Sequence, residues 1–180
     1  MSKKKLPYRV IESNKIYEGH VIQLFKDRLT LNKSKDKIIT RELVAHPGAV
    51  VILPFLNKGQ ILLIKQFRYA AKGDLWEIPA GTREKNEVPS SCAKRELEEE
   101  TGFKAKRWTF LTKFLPAPGV TDELMWLYKA ENLVKGRLNL DHDEFIETHM
   151  ISVKKALAMI LNGSIQDGKT ILAILWANFL

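Results

Sequence analysis

Cysteine is nearly absent from this chain of 180 residues, which contains Cys92 alone. A single thiol excludes an internal disulfide framework and a cysteine-based zinc site, and it favours a reducing environment. Long apolar runs are missing too, because the most apolar segment, residues 171–180, is shorter than the roughly 20 residues of a membrane-spanning helix. No apolar stretch follows the basic residues 1–5, so no secretory signal is predicted and the cytoplasm is the expected location.

The chain carries an excess of positive charge, with 29 basic and 21 acidic side chains and a net charge of +8. Hydrophobic residues at 45% and charged residues at 28% are typical of a globular protein with a full core. The lysines are scattered along the sequence, so neither nucleic acid nor a membrane is the expected partner. A positive surface would attract small anionic substrates such as phosphate esters.

The first 44 residues are predicted to form an N-terminal tail and a small antiparallel sheet. Short β-like stretches occur at 9–12, 21–25 and 38–44, and a polar turn is expected at 33–37. This segment is too small to form its own core, so we expect it to serve homodimerisation.

Residues 45–180 are predicted to form a second, catalytic domain of the α/β class. Apolar strands at 49–56 and 61–67 are joined by a hairpin loop, and their continuous apolar runs predict cover on both faces. Further strands are expected at 108–113, 124–130 and 146–151, and helices at 89–101, 153–161 and 169–180. These elements predict helices on both sides of a mixed sheet.

One helix carries an unusual cluster of acidic residues. Glu96, Glu99 and Glu100 stand at i, i+3 and i+4, so they share one face, where like charges repel by about 0.2–0.5 kcal/mol per pair. Ala93 and Leu97 give the same helix an apolar face toward a core. Clustered carboxylates suit Mg²⁺ or Mn²⁺, although the charge pattern alone also fits a solvated acidic helix.

The spacing around this helix resembles the Nudix box. Gly81 is followed after five residues by Glu87 and after seven more by Arg95-Glu96-Leu97, and then come the pairs 99–100 and 102–103. In the Nudix family this motif is a loop–helix–loop that holds divalent cations and hydrolyses nucleoside diphosphates linked to another group. The resemblance implies an α/β/α sandwich and two to three Mg²⁺ ions, with Mn²⁺ as a substitute.

The same resemblance assigns roles within the motif. The implied metal ligands are Glu96, Glu100 and the backbone carbonyl of Ala80, and Glu99 would be either a further ligand or a close partner of the ligands. Glu87 and Arg95 would orient the helix carboxylates, and Gly81 would let the loop approach the metals closely.

Stretches outside the box are similar to the ADP-ribose pyrophosphatase branch of the family. They are residues 41–42, 46–48, 66–69, 76–81 and 116–123, and a proline stands 15 residues beyond Phe103, as is typical of that branch. The implied substrate-binding residues are Arg41, Arg68, Glu77, Pro118 and Gly119. In that branch the N-terminal sheet contacts substrate across a dimer.

An acidic loop at 141–147 is expected to supply the remaining groups. By resemblance, Glu144 matches a metal-proximal glutamate. The general base stays open among His142, Asp143 and Glu144, since the branch has a glutamate where this chain has His142. A histidine could serve as base because its pKa lies near neutrality.

The sequence therefore predicts metal-dependent hydrolysis of nucleoside diphosphate sugars to a nucleoside monophosphate and a sugar phosphate. Two alternatives stay open: action on dinucleoside polyphosphates or capped RNA, and a non-catalytic Nudix sensor that binds a nucleotide. The sequence names neither the base nor the sugar.

Overall fold

The computed structural model describes residues 6–140, 142 and 144–179, apart from the side chains of residues 35 and 36. The chain forms two compact units. The first contains the described residues up to Pro47 together with Ala117–Glu123, and the second contains Gly48–Pro116 and the described residues from Leu124 onward. No sequence pattern linked the segment Ala117–Glu123 to the N-terminal strands.

The first unit is built on a three-stranded antiparallel sheet in the order β1-β2-β3. Its strands are β1 (Tyr8–Glu18), β2 (Gln23–Leu31) and β3 (Ser34–Ala45). The predicted strands are present but longer, and the polar turn expected at 33–37 is wrong, because the strand already begins at Ser34. Within this stretch Ser34 pairs with Leu31 of β2, and a register shift separates this pair from Thr30 and Ile38.

Little of this sheet is buried. Every residue of β1 is exposed, and Leu29 and Thr30 are the fully buried residues that β2 contributes. The end of β3 also binds the segment Ala117–Glu123, because the Val44 N–H donates to the Val120 carbonyl at 2.9 Å. A three-stranded sheet with so few buried side chains gains little stability from its own faces.

The second unit contains a seven-stranded mixed sheet within the described part of the chain. The order is β10-β5-β4-β9-β8, with β6 paired to β5 and β7 paired to β4. Strand β4 is parallel to β9, and the other pairs are antiparallel. The strands are β4 (Ala49–Asn57), β5 (Gln60–Arg68), β6 (Gly73–Glu77), β7 (Ala80–Thr82), β8 (Phe103–Phe114), β9 (Met125–Lys135) and β10 (Ile146–Ser152).

Three α-helices complete the described part of this unit: α1 (Pro89–Thr101), α2 (Val153–Leu161) and α3 (Gly168–Ala177). The predicted bounds of α1 and α2 are confirmed, and α1 ends at Gly102 in the left-handed conformation that favours glycine. Helix α3 ends earlier than the predicted residue 180. Among the described residues, no helix has the length and apolar character to cross a membrane.

The core lies on both sides of the sheet. Val50 and Ile52 of β4 pack in a cluster with Leu97 of α1. The alternate residues Val51 and Leu53 pack with residues of α2 and α3 in a second cluster. Successive side chains of a strand point to opposite faces, so the apolar run of β4 is covered on both faces, as predicted. The second unit is therefore the expected α/β/α sandwich.

Candidate active site

The loop from β7 to α1 approaches the carboxylate of Glu96. Strand β7 pairs with β4, which holds residues 80–82 against the core. A Cβ atom on Gly81 would overlap the Glu96 carboxylate, so any larger residue would force that carboxylate to move. Pairing of β7 with the sheet thus places Gly81 beside a buried acidic side chain of α1.

Arg95 organises the acidic side chains around this loop. Its Nε and Nη2 atoms donate to the two carboxylate oxygens of Glu87, both at 3.0 Å. Its Nη1 atom donates to Glu99 at 2.9 Å and lies 2.8 Å from Oε1 of Glu96. The bond from Arg95 lowers the pKa of Glu87 to about 2. These contacts support the predicted orienting roles of Glu87 and Arg95.

Two carboxylates of α1 are buried close to each other. Burial raises the pKa of Glu96 to about 7, although the neighbouring Arg95 opposes the shift. Glu100 is 2% exposed, and burial, followed by the charges of Glu96 and Glu144, holds its pKa well above the ordinary value. Its Oε2 atom accepts a hydrogen bond from the Ala80 N–H at 3.1 Å. The site therefore concentrates negative charge where water is largely excluded.

This donor set fits a divalent cation. A cation would stabilise carboxylates whose pKa is raised by burial and by neighbouring negative charges, and hard oxygen donors suit Mg²⁺ or Mn²⁺. Within the described residues, no three His, Cys, Asp or Glu side chains are grouped so as to hold a metal ion. Asp141 and Asp143 lie outside the described residues. Glu96 and Glu100 thus fit the role of ligands, and the full ligand set stays a prediction.

The segment that leads to the acidic loop is attached to the C-terminal end of α1. The side chain of Glu98 accepts from the Arg137 N–H at 3.1 Å, and the Asn139 N–H donates to the Glu99 carbonyl at 3.1 Å. Sequence reasoning did not single out Glu98, because its partner is a backbone group 39 residues away.

Further along this loop, Glu144 raises the pKa of both Glu96 and Glu100 through its charge. His142 is exposed. The general base among His142, Asp143 and Glu144 stays a prediction. One of the three candidates, Asp143, lies outside the described residues.

Arg68 and Glu77, predicted separately as substrate contacts, bind each other. The guanidinium of Arg68 donates from Nε and Nη2 to the two oxygens of Glu77, each at 2.8 Å. Glu77 is 1% exposed and also accepts from Lys169. Sequence reasoning missed Lys169 and its neighbour Asp167. The position of Asp167 before α3 indicates a helix cap, but no local pattern indicates that Lys169 contacts Glu77.

The other predicted substrate contacts belong to the first unit. Arg41 is exposed on β3, and its Nη1 atom donates to the Thr40 carbonyl at 2.9 Å. Pro118 and Gly119 lie in an exposed turn closed by the Val120 N–H, which donates to the Ala117 carbonyl at 3.0 Å. The structure thus groups these three residues in one compact unit and the acidic residues of α1 in the other, and the roles of the three stay predictions.

The second unit is thus a sandwich of helices around a mixed sheet, with buried carboxylates on one helix beside a glycine loop. A solved structure titled "Crystal structure of ADP compounds hydrolase" superposes with a TM-score of 0.84 over 99% of this chain and 96% of that chain. Its sequence identity is 19%, so the likeness shows the fold.

A family model described as NUDIX domain matches residues 45–173, and the chain belongs to the Nudix family. Nudix enzymes generally use divalent metal ions. A protein named ADP-ribose pyrophosphatase from Bacillus subtilis (strain 168) is 39% identical over 95% of this chain and 92% of its own. A protein named methanol dehydrogenase activator from Bacillus methanolicus is 36% identical over 92% and 90%. One named GDP-mannose pyrophosphatase from Yersinia pestis (strain Pestoides F) is 34% identical over 72% and 70%.

Proposed function

We propose that this chain hydrolyses the pyrophosphate bond of nucleoside diphosphate sugars such as ADP-ribose, giving a nucleoside monophosphate and a sugar phosphate. The relative named ADP-ribose pyrophosphatase, which aligns with 95% of the chain, supports this substrate class. The observation that carries the proposal is the pair of buried carboxylates, Glu96 and Glu100, on a helix held to the Gly81 loop. They provide the donors that a metal-assisted phosphoryl reaction needs.

Mg²⁺ is the proposed cofactor, with two to three ions and Mn²⁺ as a substitute. When bound, the ions neutralise the pyrophosphate, acidify the attacking water and stabilise the leaving phosphate. Glu96 and Glu100 would hold them, together with Glu99, Glu144 and the Ala80 carbonyl. Arg95 would keep the neighbouring carboxylates in place through the bonds that it makes to Glu87 and Glu99. Activity should disappear in EDTA and return on addition of Mg²⁺.

Arg68 is proposed to bind a phosphate oxygen of the substrate. Its side chain is 39% exposed, and the bidentate bond to Glu77 fixes the plane of the guanidinium. A charge-assisted bond from a fixed guanidinium would hold the pyrophosphate, and contacts to the sugar would align it for in-line attack. The attacking water would lose its proton to a base among His142, Asp143 and Glu144. The charge of Glu144 already acts on both buried carboxylates, which supports its place near the metals.

A homodimer through the N-terminal sheet is proposed as the active assembly, located in the cytoplasm. Apolar side chains such as Val10, Ile16 and Tyr17 are exposed on β1, and pairing two copies would bury them. Arg41 would then act across the interface, and Pro118 and Gly119 would wall the substrate pocket. Light scattering after size exclusion should give twice the monomer mass of 20.6 kDa. A monomer with full activity would remove this part of the proposal.

The deciding experiment compares kcat/KM for five substrates in Mg²⁺ and identifies the products. The substrates are ADP-ribose, ADP-glucose, GDP-mannose, a dinucleoside polyphosphate and 8-oxo-dGTP. We expect a nucleoside diphosphate sugar to lead, and ADP-ribose to yield AMP and ribose 5-phosphate with little inorganic phosphate. GDP-mannose belongs in the panel because a relative of this chain carries the name of its pyrophosphatase.

The same panel separates the alternatives. If kcat/KM for 8-oxo-dGTP or the dinucleoside polyphosphate exceeded that of every nucleoside diphosphate sugar by tenfold or more, the proposed substrate class would be rejected, while the proposed metal site would stand. Efficient turnover of capped RNA in a separate assay would lead to the same conclusion. Binding of ADP-ribose without turnover in either Mg²⁺ or Mn²⁺ would identify a sensor instead of an enzyme.

A further inference from the structure

A group of four charged side chains around the buried Glu77 joins the end of β5, strand β6 and the start of α3. Glu77 lies at its centre, with Arg68 bonded to both carboxylate oxygens at 2.8 Å. Lys169 donates to Oε2 of Glu77 at 2.5 Å and lies 3.0 Å from Oδ1 of Asp167. The group contains two positive and two negative side chains, so their charges balance.

The position of Lys169 is set by the cap of α3. The second oxygen of Asp167, Oδ2, accepts hydrogen bonds from the N–H and the hydroxyl of Thr170. The hydroxyl oxygen of Thr170 in turn accepts from the Ile78 N–H at 2.9 Å. The first turn of α3 is therefore bonded to the residue that follows Glu77, which leaves Lys169 little freedom to move away.

Arg68 is the member of this group that reaches solvent. It is 39% exposed, whereas Lys169 is 11% and Glu77 1% exposed. Both Nε and Nη2 are used by Glu77, and Nη1 forms no hydrogen bond with another described residue. The pKa of Arg68 is raised by Glu77 first and also by the charges of Glu100 and Asp167. Arg68 thus lies within the electric field of the buried carboxylate of α1.

A phosphate bound at Nη1 would bring negative charge toward the buried carboxylate of Glu77. That carboxylate would repel the phosphate, and the phosphate would compete with it for the guanidinium. Lys169 donates to the same Oε2 atom of Glu77 as Nη2 of Arg68 and offsets the charge of the carboxylate. With this compensation, Glu77 can keep the Arg68 guanidinium oriented while Nη1 stays available to the phosphate.

We propose that Lys169 is a positioning residue, which fixes Arg68 through Glu77 so that the Nη1 edge receives a phosphate oxygen of a nucleoside diphosphate. The inference rests on the proposed function of Arg68 as the phosphate contact. Since that contact is made to the substrate in both ground and transition states, its weakening should raise KM more than it lowers kcat.

The test compares Lys169→Met with Lys169→Arg, and with Lys65→Met as a matched control. Lys65 also forms an ion pair on β5, with Asp74, but that pair is largely exposed. With ADP-ribose in saturating Mg²⁺, Lys169→Met should raise KM about tenfold and change kcat by no more than about threefold. Lys169→Arg should restore KM to within about threefold of wild type, and Lys65→Met should leave it unchanged.

A second readout does not depend on turnover. The Nε–H resonance of Arg68, assigned by its loss in Arg68→Lys, should be a single sharp signal in the wild type and broaden or shift in Lys169→Met. Binding of inorganic pyrophosphate, measured by calorimetry in Mg²⁺, should weaken in parallel. If wild type failed to turn over ADP-ribose, the proposed function would fall while these two measurements still decided the role of Lys169.

The inference is overturned if Lys169→Met keeps wild-type KM and pyrophosphate affinity with an unchanged Arg68 resonance. A loss of about tenfold in kcat with no change in KM would also overturn it, because that would indicate a general structural role. Should Lys169→Met not fold, Lys169→Gln, which keeps a donor near Glu77 without the charge, takes its place with the same two opposed outcomes.

Discussion

Replacement of Glu100 by glutamine separates the proposed catalytic role of this carboxylate from its effect on stability. Glu100→Gln preserves the size of a side chain that is 2% exposed and keeps an oxygen to accept from the Ala80 N–H. It removes one negative charge from the site proposed to hold Mg²⁺. We expect turnover of ADP-ribose to fall at least ~100-fold, which corresponds to about 2.7 kcal/mol of barrier.

The substitution should raise the stability of the metal-free protein, although it lowers the activity. Burial and the charges of Glu96 and Glu144 raise the pKa of Glu100, so ionised Glu100 destabilises the folded state at pH 8. In EDTA at pH 8 we therefore expect the Tm of Glu100→Gln to rise, by about 2–4 °C for each kcal/mol of destabilisation that the substitution relieves.

Two measurements test this pair of effects. Steady-state kinetics in Mg²⁺ give the loss in kcat, and calorimetry in EDTA gives the change in Tm. Glu147→Gln is the matched control, because Glu147 is 75% exposed on β10 and the same chemical change should leave both quantities unaltered. Near-wild-type activity in Mg²⁺ would refute the ligand role of Glu100, and a lower Tm in EDTA would refute the charge argument.

Three further changes test other parts of the site. Gly81→Ala should lower kcat/KM at least ~10-fold, because the new Cβ displaces the Glu96 carboxylate; steady-state kinetics check this, with Gly168→Ala, whose Cβ would meet no atom within 4 Å, as the control. Thr170→Val should cost about 2 kcal/mol and lower Tm by about 6 °C, since it leaves the buried Ile78 N–H without its acceptor; an unchanged thermal unfolding curve would contradict this. The raised pKa of Glu96 adds stability to the metal-free protein below pH 4.5, and this contribution is lost as pH rises toward 7. The loss of Tm between pH 4.5 and 8 in EDTA should therefore be smaller in Glu96→Gln, and an equal loss would argue against a buried carboxylate.

The local pattern of the sequence was sufficient for the elements that carry the chemistry. The bounds of α1 follow from Pro89 in the first turn, the apolar spacing within the helix and Gly102 after it. The apolar run of β4 correctly predicted burial on both faces. These features could be recognised because they depend on periodicity and on residues near in sequence. The resemblance to the Nudix box had the same basis, and the family match over residues 45–173 confirms it.

Pairings between distant segments required the tertiary structure. Arg68 and Glu77 were both predicted as substrate contacts, yet they form an ion pair with each other. The register of β5 with β6 places Glu77 opposite Ile64 and Arg68 opposite Gly73, so the strand pairing alone does not predict this contact. The turn at Pro118 joins the first compact unit, although it stands far along the chain from β3.

Lys169 is the clearest case of a contact that only the folded chain decides. It stands 92 residues from Glu77. In the sequence it is one of the many lysines of the chain and lies at the start of an apolar helix. Helix and strand patterns report which face of an element is apolar, but they do not report which buried charge will meet another. That choice is made when the sheet and α3 pack, because a buried carboxylate must find cations from whichever segments the fold brings beside it.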